Sequence, residues 1–404
     1  MTVRRALALS ALLPACQPAA RPPVVDVAGD ACDLVAIRAQ RDEPWSRGDP
    51  SVCDTRCRAG DQRSCVAFGL LQFASRDMWG STLAAWHFEN ACTAGVGVGC
   101  TLLGEYLARA GHHRGTRAED YFARGCELGD AEGCQGVGLL LAAETSYYCK
   151  YCRTDTARPG DAPRAAALLL RACEAGLEPS CNALGTLTQT GRGVAQDEAR
   201  AAQLYATACD GGFSEGCSNL GALLADGRGV ARDERRAADL HAAACEHEVA
   251  AACARLADLT DAGRGVARDE ARAVALRGAA CQAGDGASCL RHADAVVGAA
   301  PARALWAYAR ACDRGQPRGC SSAGDAYAEG RFAEQNPSLA VVYFESACEG
   351  GEAASCAKCG AALEAGRGRA PDPLAAARAY ARGCALGDPQ ACARAAPPPR
   401  SDER

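Results

Sequence analysis

Lysine is nearly missing from this chain of 404 residues: Lys150 and Lys358 are the only two, and almost all the positive charge rests on arginine. Basic residues number 44 against 49 acidic ones, a net charge of −5. No basic stripe that could track a phosphate backbone stands out, so nucleic acid is not an expected partner. No strand pattern is apparent, and with it goes any glycine-rich phosphate loop that would follow a strand. The apolar run near the start, Ala6 to Leu13, is much too short to span a bilayer, which takes about 20 residues. Ser355-Cys356-Ala357-Lys358 matches the S-x-x-K of penicillin-recognising enzymes, but no K-T-G or S-D-N accompanies it. Ser355 also stands where Gly216, Ser180 and Ser288 stand in other units, which marks a position for a small residue. No catalytic residue, metal site or cofactor is expected.

Cysteine, in contrast, is abundant and regular. Ten times a cysteine is followed eight residues later by another: Cys57 and Cys65, Cys92 and Cys100, Cys126 and Cys134, Cys173 and Cys181, Cys209 and Cys217, Cys245 and Cys253, Cys281 and Cys289, Cys312 and Cys320, Cys348 and Cys356, and Cys384 and Cys392. These pairs use 20 of the 26 cysteines, and five of the nine steps between pairs are 36 residues. A fixed period of this length marks a solenoid, whose units each bury their apolar face only by stacking on neighbours. A disulfide needs Cα atoms roughly 4.4–6.8 Å apart, whereas eight residues of helix span about 12 Å, so the chain must reverse inside each pair. Gly211 and Gly212, between Cys209 and Cys217, supply residues able to take the left-handed conformation that ends a helix. Each bridge then staples two successive antiparallel helices. Zinc is the competing use of dense cysteine, but its sites favour C-x2-C pairs converging from two places, and seven intervening residues fit poorly.

A ladder of disulfides calls for an oxidising compartment, and the N-terminus agrees. Arg4 and Arg5 precede the apolar run, and Leu13-Pro14-Ala15-Cys16 resembles a bacterial lipobox, whose cysteine is lipidated and becomes the first residue. Gln17 to Pro23, rich in Pro and Ala, suits an extended spacer. The expected location is therefore the periplasm or cell envelope, as an outer-membrane lipoprotein held to the membrane through Cys16 alone, with free secretion as the alternative.

The clearest unit runs from Cys217 to Cys253. Cys217, Leu220, Gly221 and Leu224 share one face of a first helix, and Ala237, Leu240, His241 and Ala244 share one face of a second. Between them, Gly227-Arg228-Gly229-Val230 ends the first helix and Asp233 is placed to cap the second. Glycine or alanine recurs four residues after every second cysteine, from Gly69 to Ala396, which lets helix backbones approach closely. Aromatics recur four residues before the first: Phe88, Phe122, Tyr205, Tyr308, Phe344 and Tyr380. Their periodicity is that of core packing. The G-R-G arginines could attract anions, although a capping loop accounts for these segments.

These residues resemble the Sel-one-like repeat family (Sel1-like repeats, SLR), and within it the cysteine-rich, disulfide-linked αα-repeat proteins of the Hcp type. The motif that carries the likeness is Ala208-Cys209 through Gly221, then Gly227 to Val230 and Asp233, and it extends over roughly residues 57 to 395. The resemblance implies an all-α, right-handed, tetratricopeptide-like αα-solenoid of about ten disulfide-stapled helix pairs. Some relatives are described as binding or hydrolysing β-lactams.

The organisation expected is a signal peptide (1–15), a lipidated N-terminus and Pro/Ala-rich linker (16–31), an N-terminal cap (32–56), the solenoid (57–395) and a disordered tail (396–404). Cys32 and Cys53 could bridge to close the open end of the stack. An insertion at 144–160 holds Tyr147, Tyr148 and Tyr151, a candidate binding edge, and Cys149 and Cys152, a candidate local bridge. Cys359 is left over at the helix position of Leu184, Leu220 and Leu256, as a buried, inert thiol. His87, His241 and His292 fall at inner positions, His247 in a turn, and His112 and His113 in a loop. The function expected is a non-catalytic scaffold that binds one or more protein partners, using a concave face lined by first helices. The alternative is recognition of peptidoglycan fragments or β-lactams with weak hydrolysis.

Overall fold

The computed structural model describes residues 32–39, 49–73, 78–110, 118–142 and 161–395. The signal peptide, Cys16, the linker, His112, His113, the insertion with Tyr147, Tyr148, Tyr151, Cys149 and Cys152, and the tail lie outside the described residues. The described residues are helices and their connections, an all-α solenoid.

The chain divides into two compact units, residues 1–103 and 104–404. The first holds α1 (Leu34–Ala39), α2 (Pro50–Arg58), α3 (Gln62–Phe73), α4 (Met78–Thr93) and the start of α5 (Gly97–Ala110). The second continues with α6 (Ala118–Glu127), α7 (Ala131–Leu141), α8 (Ala162–Glu174), α9 (Glu178–Thr190), α10 (Glu198–Asp210), α11 (Ser214–Asp226), α12 (Glu234–Glu246) and α13 (Ala250–Ala262). It ends with α14 (Glu270–Gln282), α15 (Gly286–Val296), α16 (Pro301–Asp313), α17 (Pro317–Glu329), α18 (Pro337–Glu349), α19 (Ala353–Glu364), α20 (Pro373–Ala385) and α21 (Pro389–Ala395).

The 36-residue period follows from these lengths. Helices α11 and α12, 13 residues each, are separated by the loop 227–233 and followed by the turn 247–249. Gly227 stops α11 in the left-handed region, at φ 70°, where a side chain would be strained. The Asp233 carboxylate then accepts from the Arg236 amide at 2.9 Å, capping α12. Asp197, Asp269, Asn336 and Asp372 cap their helices in the same way.

Disulfides join Cys32 to Cys53 and all ten pairs of spacing eight. In the first five of the ten, Cys57 is bonded to Cys65, Cys92 to Cys100, Cys126 to Cys134, Cys173 to Cys181 and Cys209 to Cys217. In the other five Cys245 is bonded to Cys253, Cys281 to Cys289, Cys312 to Cys320, Cys348 to Cys356 and Cys384 to Cys392. The Cα atoms of these ten pairs are 4.3–4.7 Å apart, inside or at the edge of the range a bridge needs. Each ties the end of a second helix to the start of the next first helix: Cys100 opens α5, Cys134 α7, Cys289 α15, Cys320 α17 and Cys392 α21.

In the turn between Cys209 and Cys217 only Gly212 is left-handed, at φ 95°; Gly211 stays right-handed at φ −77°. One residue of positive φ is enough to reverse the chain here, so the expectation for Gly211 is corrected. Cys32 and Cys53 lie in a small core with Ile37 of α1 and with Ala67 and Leu71 of α3.

The recurring glycine and the recurring aromatic are two halves of one contact. A β-carbon on Gly185 would lie 2.7 Å from the Tyr205 ring, one on Gly324 2.6 Å from Phe344, one on Gly360 2.7 Å from Tyr380, and one on Gly69 2.8 Å from Phe88. The missing side chain on the first helix thus makes room for a ring from the second, rather than for its backbone. Phe88, Phe122, Tyr205, Tyr308, Phe344 and Tyr380 are all buried. At about 25 cal/mol per Å² of apolar surface, each ring stabilises its helix pair by roughly 2–3 kcal/mol.

Candidate functional site

The loop between paired helices does more than cap. Arg228 ion-pairs with Glu198, the first residue of α10 in the preceding repeat. Arg264 repeats the contact on Glu234, its Nε donating at 2.7 Å, while its guanidinium also reaches the Ala225 carbonyl at 3.0 Å. The second glycine of each loop is pressed on the same neighbour: a β-carbon on Gly229 would lie 2.3 Å from the Glu198 carbonyl carbon, and one on Gly265 2.1 Å from the Glu234 oxygen. The G-R-G segment therefore joins repeat to repeat, and Arg228 and Arg264 are spent on protein partners. Sequence reasoning missed this because the motif is local and its partner lies 30 residues away; the recurrence of glutamate at Glu198, Glu234 and Glu270 was the available signal.

Within residues 104–404, the first helices line a groove of about 440 Å³. Asn182 and Thr186 of α9, Ser218 and Asn219 of α11, and Phe213 and Val249 in the turns border it. The Asn219 amide donates to the Asn182 carbonyl oxygen at 2.8 Å. That bond uses one donor of Asn219 and one acceptor site of Asn182; the Asn219 oxygen and the Asn182 amide nitrogen keep capacity for further bonds. Both side chains are half-buried. The wall is mixed in character: small side chains at Ala183 and Ala251 widen it, and Glu215 gives it one negative charge. A groove with this lining can hold an extended chain by main-chain hydrogen bonds and pack its side chains against Phe213 and Val249.

Ser355 and Lys358 do not converge. Ser355 is fully buried and its hydroxyl bonds Ser321 at 2.9 Å. Lys358 points instead to Asp325, with both carboxylate oxygens within 2.8 Å of its ammonium, and lies over the Phe344 ring. Cys359 is buried and unbridged, and burial pushes its thiol up to about 11, so it carries no thiolate at neutral pH.

His241 takes the place of the ring, against Gly221, and both its nitrogens lack a hydrogen-bond partner. Burial, with help from the Arg255 charge, brings it down to about 4. His292 is buried as well, its Nδ1 3.0 Å from the Val274 carbonyl. His87, in contrast, stands beside a disulfide, with Nδ1 3.8 Å from the sulfur of Cys57. No metal-ligand set was expected from the spacing of the cysteines. The structure brings a third donor to this one bridge from 30 residues away, a proximity that sequence separation conceals.

Helices paired in this way, stapled at every turn and joined through G-R-G loops, define an αα-repeat solenoid. The chain carries Sel1 repeats in five positions: the family model described as Sel1 repeat matches residues 140–177, 179–213, 214–248, 250–285 and 317–352. Among solved structures, a protective antigen of uropathogenic Escherichia coli strains displaying an SLR fold is 19% identical, with 86% of this chain and 74% of that chain covered and a TM-score of 0.54, a likeness of fold. A Sel1 repeat protein from Oxalobacter formigenes is 21% identical over 81% of this chain and 92% of its own, with a TM-score of 0.48. Cysteine rich protein B of Helicobacter pylori is 23% identical over 31% and 95%, with a TM-score of 0.27. No curated protein matches the chain. Sel1-repeat proteins are scaffolds that generally bind protein partners.

Proposed function

We infer that this protein is an exported, lipid-anchored scaffold of the cell envelope, without catalysis of its own, which holds an extended segment of a partner protein in the first-helix groove. The observation that carries the partner side is the Asn182–Asn219 pair, with an amide donor and a carbonyl acceptor still available at the groove wall. Export is supported by bridges that a reducing cytosol would not maintain, and anchoring by the Leu13-Pro14-Ala15-Cys16 sequence. Anchor and groove need separate tests. Palmitate labelling of the wild type and of Cys16→Ser addresses the anchor: label on the wild type alone supports it, and label on neither leaves a freely secreted protein. A photo-crosslinking residue at Asn219 in the native envelope should capture a partner that the same residue at Leu374, an exposed position on α20, does not. Equal capture at both sites would remove the groove from the proposal.

A further inference from the structure

Among the described residues, Cys57, Cys65 and His87 form a cluster whose three donor atoms all lie within 4.8 Å of one another. All three belong to the unit 1–103: Cys57 lies in the last turn of α2, Cys65 in the first turn of α3, and His87 comes from α4. A tetrahedral zinc ion with ligands at ~2.0–2.3 Å would set a histidine nitrogen about 3.6 Å from each sulfur and the two sulfurs about 3.8 Å apart. The His87 Nδ1 is already 3.8 Å from the Cys57 sulfur, and the two cysteine Cα atoms are 4.5 Å apart, so small side-chain rotations complete the geometry once the sulfurs part. The imidazole is held in place on two sides, edge-on to Phe68 at 5.3 Å and to Trp86 at 4.9 Å between ring centroids. It is buried, and burial lowers its proton affinity against the opposing pull of Asp54; a neutral ring with a free lone pair is the metal-binding form. At the corresponding register of the regular units the chain has Leu204, Leu240 and Leu276, none of which can donate to a metal.

We propose that the Cys57–Cys65 bridge is a redox-gated zinc site: reduced, it becomes a Cys2His set with one coordination position open to water or an incoming ligand. A dithiol supplies the two electrons. One of its thiolates attacks a sulfur of the bridge, the Cys57–Cys65 bond breaks, and the mixed disulfide resolves to leave two protein thiols and an oxidised dithiol. Zinc then binds both sulfurs as thiolates and His87 as neutral imidazole, releasing two protons. The disulfide form of such a dithiol runs the exchange backwards: it accepts the two electrons and two protons and leaves as a dithiol, the Cys57–Cys65 bond re-forms, and the ion is released.

The test uses the full chain. After limited treatment with a dithiol under native conditions, differential alkylation and mass spectrometry locate the opened bridges, and cobalt(II) followed by zinc is titrated into the product. The expected result is one equivalent of cobalt with thiolate-to-cobalt charge-transfer absorption, displaced by zinc. The oxidised protein and a double variant carrying Cys57→Ser and Cys65→Ser should show none. His87→Phe, which keeps a ring at that position, should weaken zinc binding by more than about 100-fold, beyond what loss of a supporting group costs, while its circular dichroism in the oxidised state stays that of the wild type. A double variant carrying Cys92→Ser and Cys100→Ser, reduced alike, should still bind. Absence of the charge-transfer band from the reduced wild type, binding unaffected by His87→Phe, or cobalt bound equally at several reduced bridges would each overturn the proposal.

Discussion

Two neighbouring repeats, one opening at Cys181 and the next at Cys217, have the same length, the same helices and the same loop, yet they are not equally well built. In the first, Tyr205 fills the glycine slot and its hydroxyl finds Gln189 at 2.8 Å and Thr186 at 3.3 Å; the turn that follows reverses at Gly212. In the second, His241 fills the slot with both nitrogens unbonded, and the turn reverses at Glu248, the only non-glycine residue of positive φ among the described ones, at 59°. The second repeat nevertheless keeps the geometry of the first. Bridges and G-R-G loops, which the two share, hold the frame, so that a polar ring and a strained turn lower stability without changing structure.

The largest effect should come from the shared frame. Gly229→Ala places a methyl group inside the carbonyl of Glu198 at a backbone φ of 67°, and should lower stability by roughly 3–5 kcal/mol through overpacking and backbone strain together; a shift of the urea midpoint read by circular dichroism measures it. A midpoint like that of the wild type would show that the two repeats do not depend on this joint. Replacing Cys209 and Cys217 together by alanine opens the staple between the same repeats, and should cost about 2.5 kcal/mol on the loop-entropy account.

His241 gives a smaller, pH-dependent effect. Its folded pKa, about 4, lies below the ordinary 6.5, so between these values the unfolded chain binds a proton that the folded chain does not. Stability should therefore fall as pH drops from 6.5 towards 4, by about 2–3 kcal/mol, and be unaffected by this group above 6.5. His241→Phe should raise the melting temperature at pH 7 and flatten its decline in that window. Tyrosine is the poorer choice, because the residues matching Thr186 and Gln189 are Ala222 and Ala225, which offer its hydroxyl no side-chain partner. Smallest of all, Glu248→Gly should gain about 1 kcal/mol by relieving the left-handed turn, read as a modest rise in melting temperature. If both substitutions leave the protein unchanged, the two repeats are energetically equivalent and the contrast drawn between them fails.

How much could be read in advance differs from element to element. Capping by Asp233 was legible because a cap is made within four residues of chain. The bridges from Cys92 to Cys100 and from Cys384 to Cys392 were legible for the same reason, since both partners sit on one tight reversal. Burial of Tyr205 and Phe344 followed from period alone, but not what they pack against: the glycine they enter lies 20 residues earlier in sequence, and only the folded hairpin sets the two face to face. Lys358 illustrates a reading by elimination, since motif partners absent from the chain argued against a catalytic role before its ion pair with Asp325 was known. The groove was anticipated only as a face of first helices. Its Asn182–Asn219 pair joins residues at different offsets from their cysteines, 182 one place after Cys181 and 219 two after Cys217, and so left no periodic trace.

Cysteine spacing, glycine placement and the 36-residue period by themselves determined that this chain is a stack of stapled helix pairs, because a bridge, a cap and a reversal of direction are each made by residues close along the backbone. Which arginine meets which glutamate, which two asparagines share a groove, and that His87 stands beside one disulfide were decided only in three dimensions. Those contacts are set by how one helix pair lies on the next, and side chains 30 or more residues apart meet through packing that no local pattern encodes.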